Sequence, residues 1–229
     1  RFRINYMKIV ITGASRGIGF ESAKLFAASG HKVLAFSRNT DKLSELAKCG
    51  VTTFSFDITT KDYTDLIEKV KSFGEIDVLI NNAGALVNKP FFEISNADLL
   101  SIYNVNVLAP FRLVRDLYPY FSSQSHIINI SSVGGVQGSV KFPGLSAYSS
   151  SKGALIILTE CLAEEFKETK HRFNSLALGA VQTEMLNEAF PGYQAPLSAQ
   201  EMAKYLVRFA LEDGLYFNGK VLNVSSSTP

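Results

Sequence analysis

Tyr148 and Lys152, in Ser146-Ala147-Tyr148-Ser149-Ser150-Ser151-Lys152-Gly153-Ala154-Leu155, have the side-chain types and spacing for proton transfer. The run continues as a helical pattern, and on a helix positions i and i+4 share a face. A tyrosine phenol has a pKa of about 10. An ammonium one turn away stabilises the phenolate and is expected to lower that pKa towards working pH. A second pair with the same spacing, Tyr216 and Lys220, spans the turn signal Asn218-Gly219 and is not expected to share a helix face. Ser131 and Ser132 end an apolar run. Adjacent strand residues point to opposite faces, so only one of these hydroxyls is expected to face a site.

The second feature with chemical meaning is Thr12-Gly13-Ala14-Ser15-Arg16-Gly17-Ile18-Gly19, which follows Ile9-Val10-Ile11. A strand, a glycine-rich turn and a helix start stand in that order. Gly13 can take the tight turn, Gly17 leaves room for a pyrophosphate, and Gly19 lets helix and strand pack closely. The loop and the helix N-terminus offer backbone N–H groups and a partial positive charge to phosphates. The spacing differs from the commoner Gly-x-Gly-x-x-Gly fingerprint. A plain βα turn is the competing reading.

These groups need elements to position them. Apolar strand runs are read at 7–12, 32–37, 51–56, 76–81, 125–131, 172–178 and 219–224, and helices at 17–29, 40–48, 60–72, 96–120, 146–168 and 198–211. Strand–helix alternation predicts right-handed βαβ units. Strands apolar on both faces predict helices on both sides. The expected fold is a doubly wound, mostly parallel, seven-stranded α/β sheet of Rossmann type in one domain, 7–229. Met7-Lys8-Ile9-Val10 reads as a start, with residues 1–6 as a leader. Ser95 with Asp98 is a capping-box pattern, and Pro110 should bend the fourth helix. Ligands of such a sheet bind beyond the carboxyl ends of its strands.

Composition narrows the partners. A net charge of +2 over 229 residues gives no electrostatic case for nucleic acid or a membrane surface. No run of apolar residues is long enough for a membrane span. The two cysteines, Cys49 and Cys161, lack metal-ligand spacing and make no disulfide framework, so no metal site and a reducing cytoplasm are expected.

The motifs together resemble those of the short-chain dehydrogenase/reductase family, in order, over about residues 7–224. They are Thr12-Gly13-x-x-x-Gly17-x-Gly19, Asn81-Asn82-Ala83-Gly84, Asn106 in Val105-Asn106-Val107, Ser131-Ser132, Tyr148-x-x-x-Lys152 and Gly179-Ala180-Val181-Gln182-Thr183. The resemblance implies hydride transfer between NADP(H) and a carbonyl or alcohol, as in the family's carbonyl reductases, with Tyr148 as general acid/base. It favours Ser132 over Ser131 as the group that orients the carbonyl. It gives Lys152 the nicotinamide ribose as well as the phenolate, and makes Asn106 the anchor of a proton-relay water. On the cofactor side it places Asp57 at the adenine amino group, Asn82, Ala83 and Gly84 at the adenosine ribose, and Val181 and Thr183 at the carboxamide. The remaining cofactor contacts expected are Gly13, Ser15, Arg16, Gly17, Ile18, Gly19, Tyr148, Lys152 and Gly179.

The end of the second strand reads Val33-Leu34-Ala35-Phe36-Ser37-Arg38. An NAD enzyme of this fold carries a carboxylate there for the ribose hydroxyls. Neutral Ser37 followed by Arg38, with Arg16 approaching from the glycine loop, predicts NADP(H), because a guanidinium fork pairs with phosphate oxygens.

Three departures from the family pattern carry expectations. Leu178 replaces the usual proline and should loosen the turn at Gly179. Ser225-Ser226-Ser227 replaces an Asp-Gly-Gly tail. Gly138, Val140, Lys141 and Phe142 form an inserted loop beside the site. The span from Glu184 to Leu197 is either an apolar lid, pointing to an apolar or aromatic carbonyl, or an amphipathic helix packed on the core. Ala154-Leu155-Ile156-Ile157-Leu158 is apolar around its circumference and predicts a homo-oligomer, tetramer or dimer. The alternative function is an inactive NADP(H)-binding regulator of the same fold. A sugar-nucleotide epimerase would need a larger C-terminal domain.

Overall fold

Ile9, Val10 and Ile11 set the pattern of the sheet in the computed structural model, which describes residues 6–226. On β1 (Lys8–Thr12), Ile9 and Ile11 enter one core and Val10 the other. β2 (Lys32–Ser37) repeats this, with Val33 and Ala35 on one face and Leu34 and Phe36 on the other. So does β4 (Ile76–Asn81), where Val78 and Ile80 oppose Leu79. The strand period of two thus feeds two apolar layers from one run.

β3 (Thr52–Ser55), β5 (Phe121–Ser132), β6 (Arg172–Leu178) and the last strand complete a seven-stranded sheet. Its order is β3-β2-β1-β4-β5-β6-β9, where β9 is Lys220–Val224, after the two-residue strands β7 (Val181–Gln182) and β8 (Leu197–Ser198). Every pairing is parallel, so the expected mostly parallel sheet is fully parallel. One face packs α1 (Gly17–Ala28), α2 (Thr40–Ala47) and α8 (Ala199–Leu211). The other packs α3 (Thr64–Phe73), α5 (Ala109–Leu117) and α6 (Ser146–Glu165). α4 (Asn96–Tyr103) opens on the expected capping box of Ser95 and Asp98. α7 (Glu184–Ala189) lies between β7 and β8.

Two helices differ from the sequence expectation. The helix expected from residue 60 starts at Thr64. Asp57 accepts from the N–H of Thr59 at 2.9 Å and Asp62 from that of Thr64 at 2.9 Å, so two short turns take the donors first. The helix expected over 96–120 is interrupted by a π turn at Asn104–Leu108. Pro110 sits in the first turn of α5 and has no N–H to donate to the Asn106 carbonyl one turn back. The distortion therefore falls just before the proline. The leader assigned to residues 1–6 lies, except for Tyr6, outside the described residues.

Candidate active site

Beyond the carboxyl ends of the strands lies a cavity of about 730 Å³. All the sequence-predicted site residues line it except Gly19 and Asn106, which stand just behind it. The glycine loop is held by contacts that explain its composition. Gly13 has φ +66°, and a Cβ there would lie 2.6 Å from the Ala83 Cα. The Thr12 hydroxyl accepts from the N–H of Asn82 at 3.0 Å and of Ala83 at 2.9 Å. Asn82 Nδ2 donates to the carbonyls of Thr12 and Gly13. The motifs after β1 and β4 are thereby locked together, and Gly19 serves this contact: a Cβ there would lie 2.7 Å from the Gly13 carbonyl and run into Asn82. Thr12 was not singled out from sequence as a site residue, although it opens the glycine motif.

β5 and α6 carry the proton-transfer candidates. Ser131 donates to the Lys152 carbonyl at 2.9 Å, so its hydroxyl faces the helix. Ser132 accepts from the N–H of Gly134 at 3.2 Å, lines the cavity beside Tyr148, and its hydroxyl favours the Tyr148 phenolate. Both serines line the cavity, but the Ser131 hydroxyl is spent on the helix backbone while that of Ser132 is not. Lys152 is buried, its ammonium donates to the Ile130 carbonyl at 2.8 Å, and it stands 5.9 Å from the Tyr148 ring centre. Below them, Asn81 Nδ2 donates to Asn129 Oδ1 at 2.8 Å, and Asn129 Nδ2 to Thr159 Oγ1 at 2.8 Å. This buried chain ties β4, β5 and α6 together.

Electrostatics at the pair depart from the expectation that Lys152 lowers the phenol. Burial pushes the Tyr148 phenol above its ordinary value, and the Ser132 hydroxyl offsets only part of that. Burial also brings the Lys152 ammonium down to about 8. Desolvation disfavours both charged forms. The ammonium is turned to a carbonyl and lies over the ring, so its pull on the phenolate is the weaker effect in this structure.

Asn106 is fully buried within the π turn. Its Oδ1 accepts from the Ala85 N–H at 2.8 Å, and its Nδ2 donates to the Ala85 carbonyl and to Ser151 Oγ, each at 2.9 Å. The side-chain amide is thus occupied in anchoring the loop after Gly84. A Cβ on Gly84 would lie 3.6 Å from both Asn106 Oδ1 and Lys152 Nζ.

At the opposite end, Ser37 is buried and its hydroxyl has no hydrogen-bond partner. Arg38 is exposed and its guanidinium makes no hydrogen bond to another described residue. Burial tends to raise the Asp57 carboxyl, but two hydrogen bonds from Thr59 and the charge of Arg38 hold it below its ordinary value. Arg16 forks onto Glu188 of α7, one leg at 3.1 Å. Its guanidinium is therefore turned to the lid, and not held open towards a phosphate. Gly17 has φ +56°, and a Cβ there would meet Thr183 Cγ2 at 3.2 Å. The loosening expected from Leu178 is absent. The Gly179 N–H donates to the Val224 carbonyl at 2.9 Å, and a Cβ on Gly179 would run into Ser225.

None of the α7 residues is buried, and Met185, Leu186, Phe190 and Tyr193 line the cavity, so this segment is a lid and not a core helix. The residues present fit a dinucleotide. Gly13 and Gly17 open the loop to close approach, and an unpartnered buried hydroxyl waits at the end of β2. Among the described residues no acidic, histidine or cysteine cluster could hold a metal, and no helix is long and apolar enough to cross a membrane.

Residues 7–194 match the short chain dehydrogenase family model. The chain is 30% identical to the 3-oxoacyl-(acyl-carrier-protein) reductase of Thermotoga maritima, over 94% of each chain. It is 31% identical to the L-2,3-butanediol dehydrogenase of Corynebacterium glutamicum, over 94% of this chain and 95% of the relative. Its fold matches that of the 3-ketoacyl-(acyl-carrier-protein) reductase from Brucella melitensis, solved with NADH, with a TM-score of 0.88, 25% identity and 98% of both chains covered. The chain belongs to the short-chain dehydrogenase/reductase family of oxidoreductases.

Proposed function

We propose that the chain is an NADP(H)-dependent oxidoreductase acting on a carbonyl or alcohol, with Tyr148 as general acid/base. The observation that carries this reading is one cavity lined by both the glycine loop and the Ser132–Tyr148–Lys152 cluster. When bound, the nicotinamide supplies or accepts the hydride. Tyr148 donates its phenolic proton to the carbonyl oxygen as reduction proceeds and takes it back in oxidation. Ser132, which lines the same cavity as that phenol, donates a hydrogen bond that orients the carbonyl oxygen. Lys152 stabilises the phenolate and reaches the ribose hydroxyls after leaving the Ile130 carbonyl. A relay water at Asn106 would bind the main-chain carbonyl, since Pro110 withholds its helical donor and the side-chain amide is engaged. This complete proton-handling set supports turnover over a purely regulatory role, which would not require it.

Ser37 and Arg38 support NADP(H) over NAD(H), and Arg16 contributes once it leaves Glu188. Asp57, Asn82, Ala83, Gly84, Val181 and Thr183 take the cofactor roles given above, with Gly13, Ser15, Gly17, Ile18, Gly19 and Gly179 shaping its bed. Charge-assisted hydrogen bonds contribute about 1.5–3 kcal/mol each. Two of them favour NADPH by roughly 100-fold in kcat/KM. The test is cofactor oxidation with a panel of aldehydes, ketones, quinones and 3-oxoacyl thioesters. NADPH should support reduction and NADH should be poor; equal use of both would overturn the cofactor assignment, and no turnover with any carbonyl the catalytic one. Exposed, unpaired Cys49 and Cys161 fit a reducing cytoplasm. Ile157 on α6 is 57% exposed and Phe111 on α5 48%, apolar surface that a second copy of the chain would cover. Light scattering should show a homo-oligomer, tetramer or dimer; monomer alone at micromolar concentration would contradict this.

A further inference from the structure

We infer that the substrate end of the cavity takes an uncharged carbonyl compound bearing an aromatic or bulky apolar group, and disfavours one bearing a carboxylate or phosphate. The inference rests on the oxidoreductase reading and names its substrate class. The cavity has two chemically different ends. Its exposed charges gather at the cofactor end. Arg38 and Asp57 stand at the ends of β2 and β3, and the Glu184 carboxylate lies 3.7 Å from where a Gly17 Cβ would be. Away from those charges, Leu86, Phe142, Leu145, Met185, Phe190 and Tyr193 contribute an apolar part of the lining.

Those six side chains come from three segments held together as one wall. Asn88 Nδ2 donates to the Ala189 carbonyl at 2.9 Å, joining the loop after β4 to the lid. The Lys89 N–H donates to the Gly144 carbonyl at 3.1 Å, joining the same loop to the inserted segment. Phe142 is 51% exposed and Tyr193 49%, so their rings have surface left to cover. Met185 Cε lies 3.9 Å from the Gly84 Cβ position, near Lys152, and its flexible thioether can repack around a guest.

Neighbouring cations are already engaged. Lys141 Nζ donates to the Val136 carbonyl at 2.7 Å, the Ser139 carbonyl at 2.9 Å and Ser139 Oγ at 2.6 Å, using all three protons. Lys89 pairs with Asp98 at 2.9 Å. Lys152 is held by Ile130 and committed to the proton site. A carboxylate brought to this wall would lose water and meet no uncommitted cation, whereas a ring would gain aromatic and aliphatic contacts.

Binding tests this independently of turnover. The full chain, saturated with NADP+, with which a ketone cannot be reduced, is titrated calorimetrically with 4-phenylbutan-2-one and with its ring-carboxylated analogue. The neutral ketone should bind at least about tenfold more tightly. Phe142→Ser combined with Tyr193→Ser should weaken the neutral ketone about tenfold, with NADPH affinity as the check that the cofactor end is intact. Equal or tighter binding of the carboxylate, or indifference to the double substitution, would overturn the inference. Selective binding of the neutral ketone, with no NADPH-dependent reduction of any carbonyl in the panel, would uphold it and sink the oxidoreductase reading instead.

Discussion

The two ends of the cavity are built differently. At the proton end, the side chains around Tyr148 are tied into hydrogen bonds. Ser131 holds the Lys152 backbone while Ile130 holds its ammonium, Asn106 is clamped by Ala85 and Ser151, and the Asn81–Asn129–Thr159 chain braces the strands beneath. At the phosphate end, Arg38 makes no hydrogen bond to a described residue, and Arg16 is held by one exposed ion pair. On the proposed reading, geometry needed for chemistry is braced by packing, while cofactor choice rests on exposed charges that few neighbours constrain. Substitutions at the first end should therefore change rate, and those at the second should change preference.

The largest effect is expected at Lys152. Lys152→Met should lower kcat by about 10²–10⁴-fold while keeping the fold. Its stability signature has a definite sign. Below about 8 both folded and unfolded chains hold the lysine proton, so the cost of burying the charge is full. Between about 8 and the ordinary lysine value of 10.5 the folded chain releases a proton that the unfolded chain keeps, so wild-type stability should rise with pH. The methionine variant should lack that rise. Parallel Tm–pH curves for the two proteins would contradict the burial argument.

Next comes the phosphate end. Ser37→Asp combined with Arg38→Leu should move the NADPH/NADH ratio of kcat/KM towards NADH by roughly 100-fold, since a carboxylate accepts from ribose hydroxyls and repels a 2′-phosphate. An unchanged ratio would show that these residues do not read the phosphate. A smaller effect tests Arg16. Glu188→Gln removes the charge that holds it; exposed ion pairs contribute about 0.2–1 kcal/mol, so NADPH should bind up to about fivefold more tightly and NADH about the same. Fluorescence titration of each cofactor measures this. An unchanged NADPH affinity would mean that Arg16 does not serve the phosphate.

Much of the molecule was legible in the sequence. Apolar runs such as Ile9-Val10-Ile11 declared a sheet covered on both faces, and the ordered glycine, asparagine, serine and tyrosine motifs located one cavity. What stayed hidden depends on three-dimensional neighbours. The Arg16–Glu188 pair joins residues 172 positions apart. Spacing placed Lys152 beside Tyr148 but did not reveal that burial outweighs its charge. The turns at Asp57 and Asp62 consumed donors that a helical pattern assigned to α3. Asn106 was identified by motif, yet its amide is spent on the loop at Ala85, which no local pattern announces. Leu178 suggested a loose turn because the hydrogen bond from Gly179 to the final strand was not visible.

The central claim is that Tyr148 supplies the proton, and Tyr148→Phe tests it most directly because the ring and its packing are retained. Single-turnover reduction should be measured at saturating NADPH, with cofactor affinity determined separately and Tyr216→Phe, 86% exposed in wild type, as the control. The account predicts wild-type NADPH affinity with kcat lowered by about 10²–10⁴-fold in Tyr148→Phe, and near wild-type kcat in the control. More than about a tenth of wild-type kcat in Tyr148→Phe would contradict it.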